Sequence, residues 1–142
     1  MRTIVTVGLT VLALTVTSAA ASAATTAKAA PKKVIVANKS FTGATAQADR
    51  WGNVQVTILV RKTTTIAGGK TTVKRQITSI KVPVYPDHTN RSVYISNNSL
   101  PTLIQEAVKA QSAHIYIVSG ATYTSDAFAY SLQAAITKDK AW

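Results

Sequence analysis

A long β-hairpin is the feature that most constrains how this chain of 142 residues can fold. One phase of residues 54–61 is entirely β-branched and the other is mixed, which predicts a strand whose strongly apolar face carries Val54, Val56, Ile58 and Val60. Residues 67–70 contain two glycines and predict the hairpin turn. The return strand changes its apolar phase at residues 78–79, so we expect a β-bulge there. Pro83 lacks a backbone N–H, which places it at an edge or an irregularity of the sheet.

Two amphipathic segments follow the hairpin and predict two helices. Ser99 is the expected cap of the first helix, with Pro101 in its first turn, and the second covers residues 124–138. Residues 114–118 are mostly apolar and indicate a buried strand, and residues 93–95 are a candidate for another short one. Two helices packed on one face of a small, mostly antiparallel sheet would bury these apolar faces. We therefore predict an α+β domain.

The turn before the second helix is rich in hydroxyl groups and small side chains. Its residues are Ser119, Gly120, Ala121, Thr122, Tyr123, Thr124 and Ser125. Unpaired backbone N–H groups and the positive end of a helix dipole meet at such a turn and favour an anion, so the segment suits a phosphate group. Ser125 followed by Asp126 is also typical of an ordinary helix N-cap, and on spacing alone the ordinary capped turn is the simpler interpretation.

The turn belongs to a longer pattern. It continues into Tyr130, Ser131, Leu132, Gln133 and Ala135, and further matching segments lie upstream at residues 51–56, 82–86, 91–92 and 99–107. In this order they resemble the FMN-binding domain family, which includes secreted actinobacterial FMN-binding proteins and the flavin-carrying subunits of sodium-pumping NADH:quinone reductases and Rnf-type complexes. The resemblance implies an α+β fold, FMN as the cofactor, and FMN contacts at residues 119–125, Arg91 and Ser92.

Covalent attachment of the flavin is left open by this resemblance. In membrane-complex members of the family, a flavin transferase joins the last threonine of the SGAT motif to the FMN phosphate, and that position is Thr122 here. The family motif usually has an aspartate six residues earlier, where this chain has Tyr116. An isoalloxazine ring would also need an apolar wall, and the aromatic candidates are Tyr123, Tyr85, Tyr94 and Trp51.

The first residues predict export. Arg2 precedes an apolar run over residues 4–16, and a small-residue Ala-x-Ala pattern follows, so we expect a signal peptide over residues 1–23. A flexible basic lead is expected over residues 24–40, with a short strand conceivable at residues 34–36, and the FMN-binding domain over residues 41–142. The chain contains no cysteine and thus no lipoprotein acceptor, so we expect a secreted or wall-associated protein on the extracytoplasmic side.

The charge of the chain indicates anionic partners. Sixteen basic and five acidic residues give a formal charge of +11. For a secreted protein, an anionic cell-wall polymer or lipid head group fits this charge better than nucleic acid does, and a solvated basic surface without a partner is the other interpretation. Two histidines without cysteine indicate no zinc site.

Two functions are compatible with these observations. The leading hypothesis is an extracytoplasmic FMN-binding electron carrier, which serves a redox partner protein or a membrane electron-transfer component and is not an enzyme on its own. The alternative is a flavin-free basic module that binds cell-wall polyanions.

Overall fold

The computed structural model describes residues 31–142, so the predicted signal peptide and the first part of the predicted lead lie outside the described residues. The strands are β1 (Lys33–Thr42), β2 (Ala46–Gln47), β3 (Asn53–Ala67) and β4 (Lys70–Val84), and the helices are α1 (Asn90–Ala110) and α2 (Thr122–Lys140). A single 3-10 turn, Asp49–Trp51, precedes β3. The elements form an antiparallel sheet with two helices, which confirms the α+β class.

β3 is the central strand of the sheet, and the other three strands pair with it in antiparallel fashion. The turn between Ala67 and Lys70 closes the β3–β4 hairpin as predicted. Ser79 pairs with Leu59 and Ile77 pairs with Val60, so residue 78 has no partner and forms the predicted bulge. β4 pairs only with β3, which makes it an edge strand and explains how it accommodates a proline.

β1 is longer than its sequence indicates. The conceivable short strand at residues 34–36 is a ten-residue strand that pairs from Lys33 opposite Ile66 to Thr42 opposite Thr57. Its β-branched start suits a strand, and it covers an edge of β3 that would otherwise expose its backbone. The sheet therefore includes residues 33–40, the last part of the predicted lead.

The core lies between the sheet and the two helices. The alternating residues of β3 that predicted an apolar face are fully buried. They belong to one cluster with Leu103 of α1 and with Phe128 and Leu132 of α2, and each such side chain contributes about 1.5–3 kcal/mol on burial. Leu59 and Arg61 on the opposite face of β3 are exposed, so both helices pack on one face as predicted. Within residues 31–142, neither helix is long and apolar enough to cross a membrane.

α1 begins at Asn90, and the prediction that Ser99 caps it is wrong. Thr89 is the N-cap: its Oγ1 accepts from the Ser92 N–H at 3.0 Å, and the Ser92 Oγ accepts from the Thr89 N–H at 3.0 Å. This capping box starts the helix upstream of the apolar stripe. The candidate strand at residues 93–95 is wrong for the same reason, because these residues are helical.

Pro101 lies inside α1 rather than in its first turn. A proline there cannot donate to the carbonyl of Asn97. Since Asn97 is exposed, water can bond that carbonyl, and the helix continues through the proline.

The strand predicted over residues 114–118 is also wrong. These residues connect α1 to α2 without pairing to the sheet. Ile115 and Val118 pack partly against the core, whereas Tyr116 is 83% exposed and Ile117 is 54% exposed. A short apolar run alone does not distinguish a strand from a connecting segment, because periodicity says nothing about a pairing partner.

Candidate functional site

A cavity of about 300 Å³ lies between the first half of α1 and the turn that leads into α2. α1 contributes Arg91, Tyr94, Ile95, Asn98 and Ser99, and the turn contributes Val118, Ser119, Gly120 and Ala121. Two segments that are distant in the sequence, around residue 91 and around residue 120, thus share one cavity. Both were predicted to contact the same ligand.

The turn has a conformation that depends on glycine. Its hydrogen bond runs from the Ala121 N–H to the Val118 carbonyl at 2.9 Å. Gly120 has φ of +79°, in the left-handed region that side chains disfavour. A Cβ placed on Gly120 would meet no atom within 4 Å, so this side of the turn is open. A ligand can therefore approach the backbone closely.

α2 begins at this turn without a side-chain cap. Ala121 occupies the N-cap position, and no side chain accepts a hydrogen bond from the N–H groups of the first turn. Such N–H groups, together with the positive end of the helix dipole, favour a phosphate. The start of α2 therefore has the electrostatic character that the sequence predicted for it.

Ser125 is not the N-cap and does not line the cavity. It lies one turn inside α2, with a 1% exposed fraction. Its Oγ accepts from the Val118 N–H at 3.1 Å and donates to the Ala121 carbonyl at 2.8 Å. Ser125 thus fixes the turn against the helix, so the interpretation of Ser125 as a cap is corrected.

The other hydroxyl residues of the motif differ in exposure. Ser119 and Thr122 are exposed, whereas Thr124 is buried. Thr122, Tyr123 and Thr124 line a second cavity of about 20 Å³ with Trp51, and this cavity shares Gly120 and Ala121 with the larger one. The two cavities meet at the turn, and Thr122 lines the smaller one and follows Ala121, which lines both.

Arg91 lies at the larger cavity, and its neighbour Ser92 does not. The Arg91 guanidinium is 5.9 Å from the centre of the Trp51 ring, within the range of a cation–π interaction. Ser92 is buried, and its hydroxyl already donates to the Thr89 carbonyl at 2.9 Å. Arg91 is therefore the residue of this pair that is free to meet a ligand, although a flavin contact stays a prediction for both.

The aromatic candidates are distributed around the two cavities. Tyr94 lines the larger cavity and is 70% exposed, Trp51 and Tyr123 line the smaller one, and Tyr85 lines neither. The sequence analysis missed Ile95, Asn98 and Ser99, which line the larger cavity. Their spacing would have indicated one face of a helix, but the segment was assigned to a strand and a cap.

Comparison with known families identifies one family for the chain. The model of the family described as FMN-binding domain matches residues 49–137, which is more than half of the chain. The matched region contains every residue that lines the two cavities. A search of curated proteins gives no match.

Proposed function

Because the chain belongs to the FMN-binding domain family, its cofactor is FMN, and we propose that the flavin phosphate binds in the cavity between α1 and the turn before α2. The observation that supports this most is that Arg91 and residues 119–121 line the same cavity. The guanidinium supplies a fork of charged donors, and the turn supplies backbone N–H groups at an uncapped helix start. Both groups donate hydrogen bonds and carry positive charge or partial charge, so both suit a phosphate dianion.

The size of the cavity suits part of the cofactor. A volume of about 300 Å³ is at the lower end of the range for small-molecule sites. We propose that it holds the phosphate and the ribityl chain, and that the isoalloxazine ring extends over the exposed aromatic side chains at the rim. Tyr94 and Tyr123 are the candidates, because each has a polar tip and an apolar ring that can pack on a flavin.

The proposed role is electron transfer outside the cytoplasm. When bound, FMN accepts and donates one or two electrons, and the protein holds and orients it. A ring at the rim of a half-open cavity is accessible to a redox partner protein or a membrane electron-transfer component. The signal peptide predicted from the sequence is the support for an extracytoplasmic location.

Thr122 is the proposed position for any covalent attachment. It is exposed at the start of α2, which suits access by a modifying enzyme. A phosphoester between Thr122 Oγ1 and the FMN phosphorus forms with net loss of water, so the protein gains the mass of FMN less water. Tyr116 is highly exposed and presents a phenol where a flavin transferase would otherwise meet a carboxylate.

Titration of the flavin-free protein tests the proposed cofactor site. We expect one equivalent of FMN to bind and to remain with the protein after free FMN is removed, so that the protein itself shows the flavin absorbance band at about 450 nm. Riboflavin, which lacks the phosphate, should bind more weakly, because the proposed site is built around the phosphate. Equal affinity for FMN and riboflavin would show that the phosphate does not bind in this cavity. No binding of either would overturn the carrier role.

Co-expression with a flavin transferase tests the attachment site. If Tyr116 prevents attachment, Tyr116→Asp should gain the mass of FMN less water where the wild type does not. Thr122→Ala in that background should lose the mass gain, whereas the control Thr124→Ala should keep it, because Thr124 is buried. Modification that survives Thr122→Ala would show that the hydroxyl is assigned to the wrong residue.

A further inference from the structure

Charge is separated between the sheet and the rest of the domain. All five acidic residues lie outside the four strands: Asp49, Asp87, Glu106, Asp126 and Asp139. Eight basic residues lie on β1, β3 and β4: Lys33, Lys39, Arg61, Lys62, Lys70, Lys74, Arg75 and Lys81. From residue 85 to residue 142 the chain has four basic and four acidic residues, so this part has no formal net charge. The sheet therefore carries most of the excess positive charge of the domain.

Half of the sheet's cations lie on the face that the helices leave uncovered. Val60 points into the core, so Arg61 points the other way. Lys81 pairs with Thr57, Lys74 with Thr63 and Lys70 with Ala67, and these three residues of β3 share the orientation of Arg61. Their partners therefore lie on the same face. We call the surface formed by Arg61, Lys70, Lys74 and Lys81 the open face; all four residues are exposed.

The cations of the open face have no acidic partners. Within residues 31–142, the one salt bridge joins Arg75 to Asp139 at 3.7 Å, and Arg75 pairs with Lys62 on the other face of the sheet. The open face thus keeps its positive charge available for a ligand. A single cation of this kind would be an ordinary solvated side chain, whereas four without a carboxylate create a sustained positive potential.

Hydroxyl groups lie among these cations. The strand register places the following side chains on the open face: Ser40, Thr42, Thr57, Thr63, Thr65, Thr72 and Ser79. Ser40, Thr57, Ser79 and Lys81 also line a cavity of about 100 Å³ together with Leu59. No aromatic side chain lies on this face of β1, β3 or β4. The face can therefore bond anionic and hydroxyl groups, but it offers no stacking platform for nucleobases.

The cations extend over a length that a small ligand cannot span. Lys70 and Lys81 lie near opposite ends of β4, and at about 3.3 Å per residue they are roughly 35 Å apart. Lys74 lies between them on the same strand, and Arg61 lies on the neighbouring strand. An extended polymer with repeated negative charges matches this arrangement.

We propose that the open face binds an extended polymer of phosphate groups joined by polyol units. The lysine and arginine side chains would pair with the phosphates, and the threonine and serine hydroxyls would bond the polyol between them. None of the residues that line the two flavin cavities lies on the open face. Polymer binding is therefore independent of FMN binding, and the domain could be retained on an anionic matrix while it carries flavin.

Poly(glycerol phosphate) is the probe for this proposal, and two variants of equal net charge provide the comparison. Lys74→Gln combined with Lys81→Gln removes two cations of the open face, whereas Lys109→Gln combined with Lys140→Gln removes two exposed cations from the helices. We expect the first variant to bind the polymer about tenfold more weakly than the wild type at about 50 mM salt. The slope of log K against the logarithm of the salt concentration should become less steep by about two, one for each cation removed. The helix variant should stay within about twofold of the wild type.

Three further measurements complete the test. A probe of one or two repeating units should bind far more weakly than a chain long enough to span the face, because fewer phosphates are engaged. Equal losses in the two variants, or no dependence on chain length, would overturn the proposal. If polyglutamate or single-stranded DNA binds as tightly as poly(glycerol phosphate), the proposed preference for a polymer of phosphate and polyol units is wrong. FMN titration of both variants should match the wild type, which separates this proposal from the flavin site.

Discussion

Arg91 and Ser92 are adjacent in the sequence and have different roles in the molecule. The family resemblance implies both as flavin contacts, but the Ser92 hydroxyl is used in the capping box of α1. The sequence could not separate the two residues, because the separation depends on where the helix starts. The small-residue turn at residues 119–121 indicated a phosphate site, and the family resemblance implied Arg91; the structure brings them to one cavity, and their contact with the flavin stays a prediction.

Replacement of the Arg91 guanidinium tests the phosphate contact at the level of one side chain. Arg91→Gln should weaken FMN binding by about tenfold or more, because a charge-assisted hydrogen bond contributes about 1.5–3 kcal/mol. Riboflavin affinity should stay unchanged. Fluorescence titration of the flavin-free protein measures both affinities.

Arg50 supplies the matched control for this experiment. Its guanidinium is 5.3 Å from the centre of the same Trp51 ring, yet it does not line the larger cavity. Arg50→Gln removes the same charge and should leave FMN affinity within about twofold of the wild type. If both variants lose affinity equally, the effect belongs to Trp51 or to net charge, and the phosphate contact is wrong.

Two glycines should respond to alanine for different reasons. At Gly120 a Cβ has free space but φ is +79°, so Gly120→Ala should cost about 1–2 kcal/mol of unfolding free energy. At Gly43 a Cβ would lie 1.9 Å from the Ser131 carbonyl oxygen, so the backbone itself must move. Gly43→Ala should therefore cost more than Gly120→Ala in urea denaturation. The reverse order would show that the backbone conformation at Gly120 is the stronger constraint, and not the close contact between Gly43 and Ser131.

At the scale of elements, local chemistry predicted the hairpin well and the helix boundaries poorly. Alternation, paired glycines and a change of phase are local signals, and β3, its turn and the bulge of β4 agree with them. Ser99 and Pro101 resembled a helix start, but Thr89 and Ser92 form a better cap upstream. Residues 114–118 were misassigned because a strand needs a partner, and pairing is a property of the whole sheet rather than of the segment.

Ser131 connects α2 to the central strand, and its removal tests that connection. Its Oγ accepts from the buried Val56 N–H at 2.8 Å, between the stretches of β3 that pair with β1 and β2. Ser131→Ala should lower the unfolding free energy by about 1–3 kcal/mol, because that N–H would be buried without an acceptor. Urea denaturation followed by circular dichroism measures the change.

Ser99 is the corresponding control in α1. It is as buried as Ser131, but its hydroxyl donates to the Ile95 carbonyl of its own helix at 2.8 Å. Ser99→Ala leaves no N–H group without an acceptor, so it should cost less than about 0.5 kcal/mol. Similar losses for the two variants would mean that the Ser131 bond adds nothing beyond the filling of space.

At the scale of the whole molecule, the domain separates two kinds of chemistry. The two cavities proposed for the flavin lie among the helices and the turn, while the excess positive charge lies on the sheet. Composition alone predicted anionic partners but gave no position for them, because net charge does not specify where charges lie. The strand register shows where the charges lie, and the binding of an anionic partner there is our proposal.

Export should remove the N-terminal segment before the domain meets either ligand. The small-residue pattern ending at Ala23 predicts a mature N-terminus near Ala24. Intact mass of the protein recovered from the culture medium or the cell wall of a secreting host measures this, and the same spectrum reports any attached FMN. Recovery from washed membranes with Arg2 still present would indicate a retained anchor instead.

The positions of the two tryptophans predict different changes in their fluorescence when FMN binds. Trp51 lines the smaller cavity beside the start of α2, whereas Trp142 follows the end of α2 and packs on Phe41 at 5.6 Å between ring centres. With 19 residues at about 1.5 Å each, α2 separates its two ends by roughly 28 Å. Because energy transfer to a flavin falls steeply with distance, emission from Trp51 should be quenched more strongly than emission from Trp142. In the Trp51→Phe variant, the remaining Trp142 should report unfolding. In the Trp142→Phe variant, the remaining Trp51 should report FMN binding.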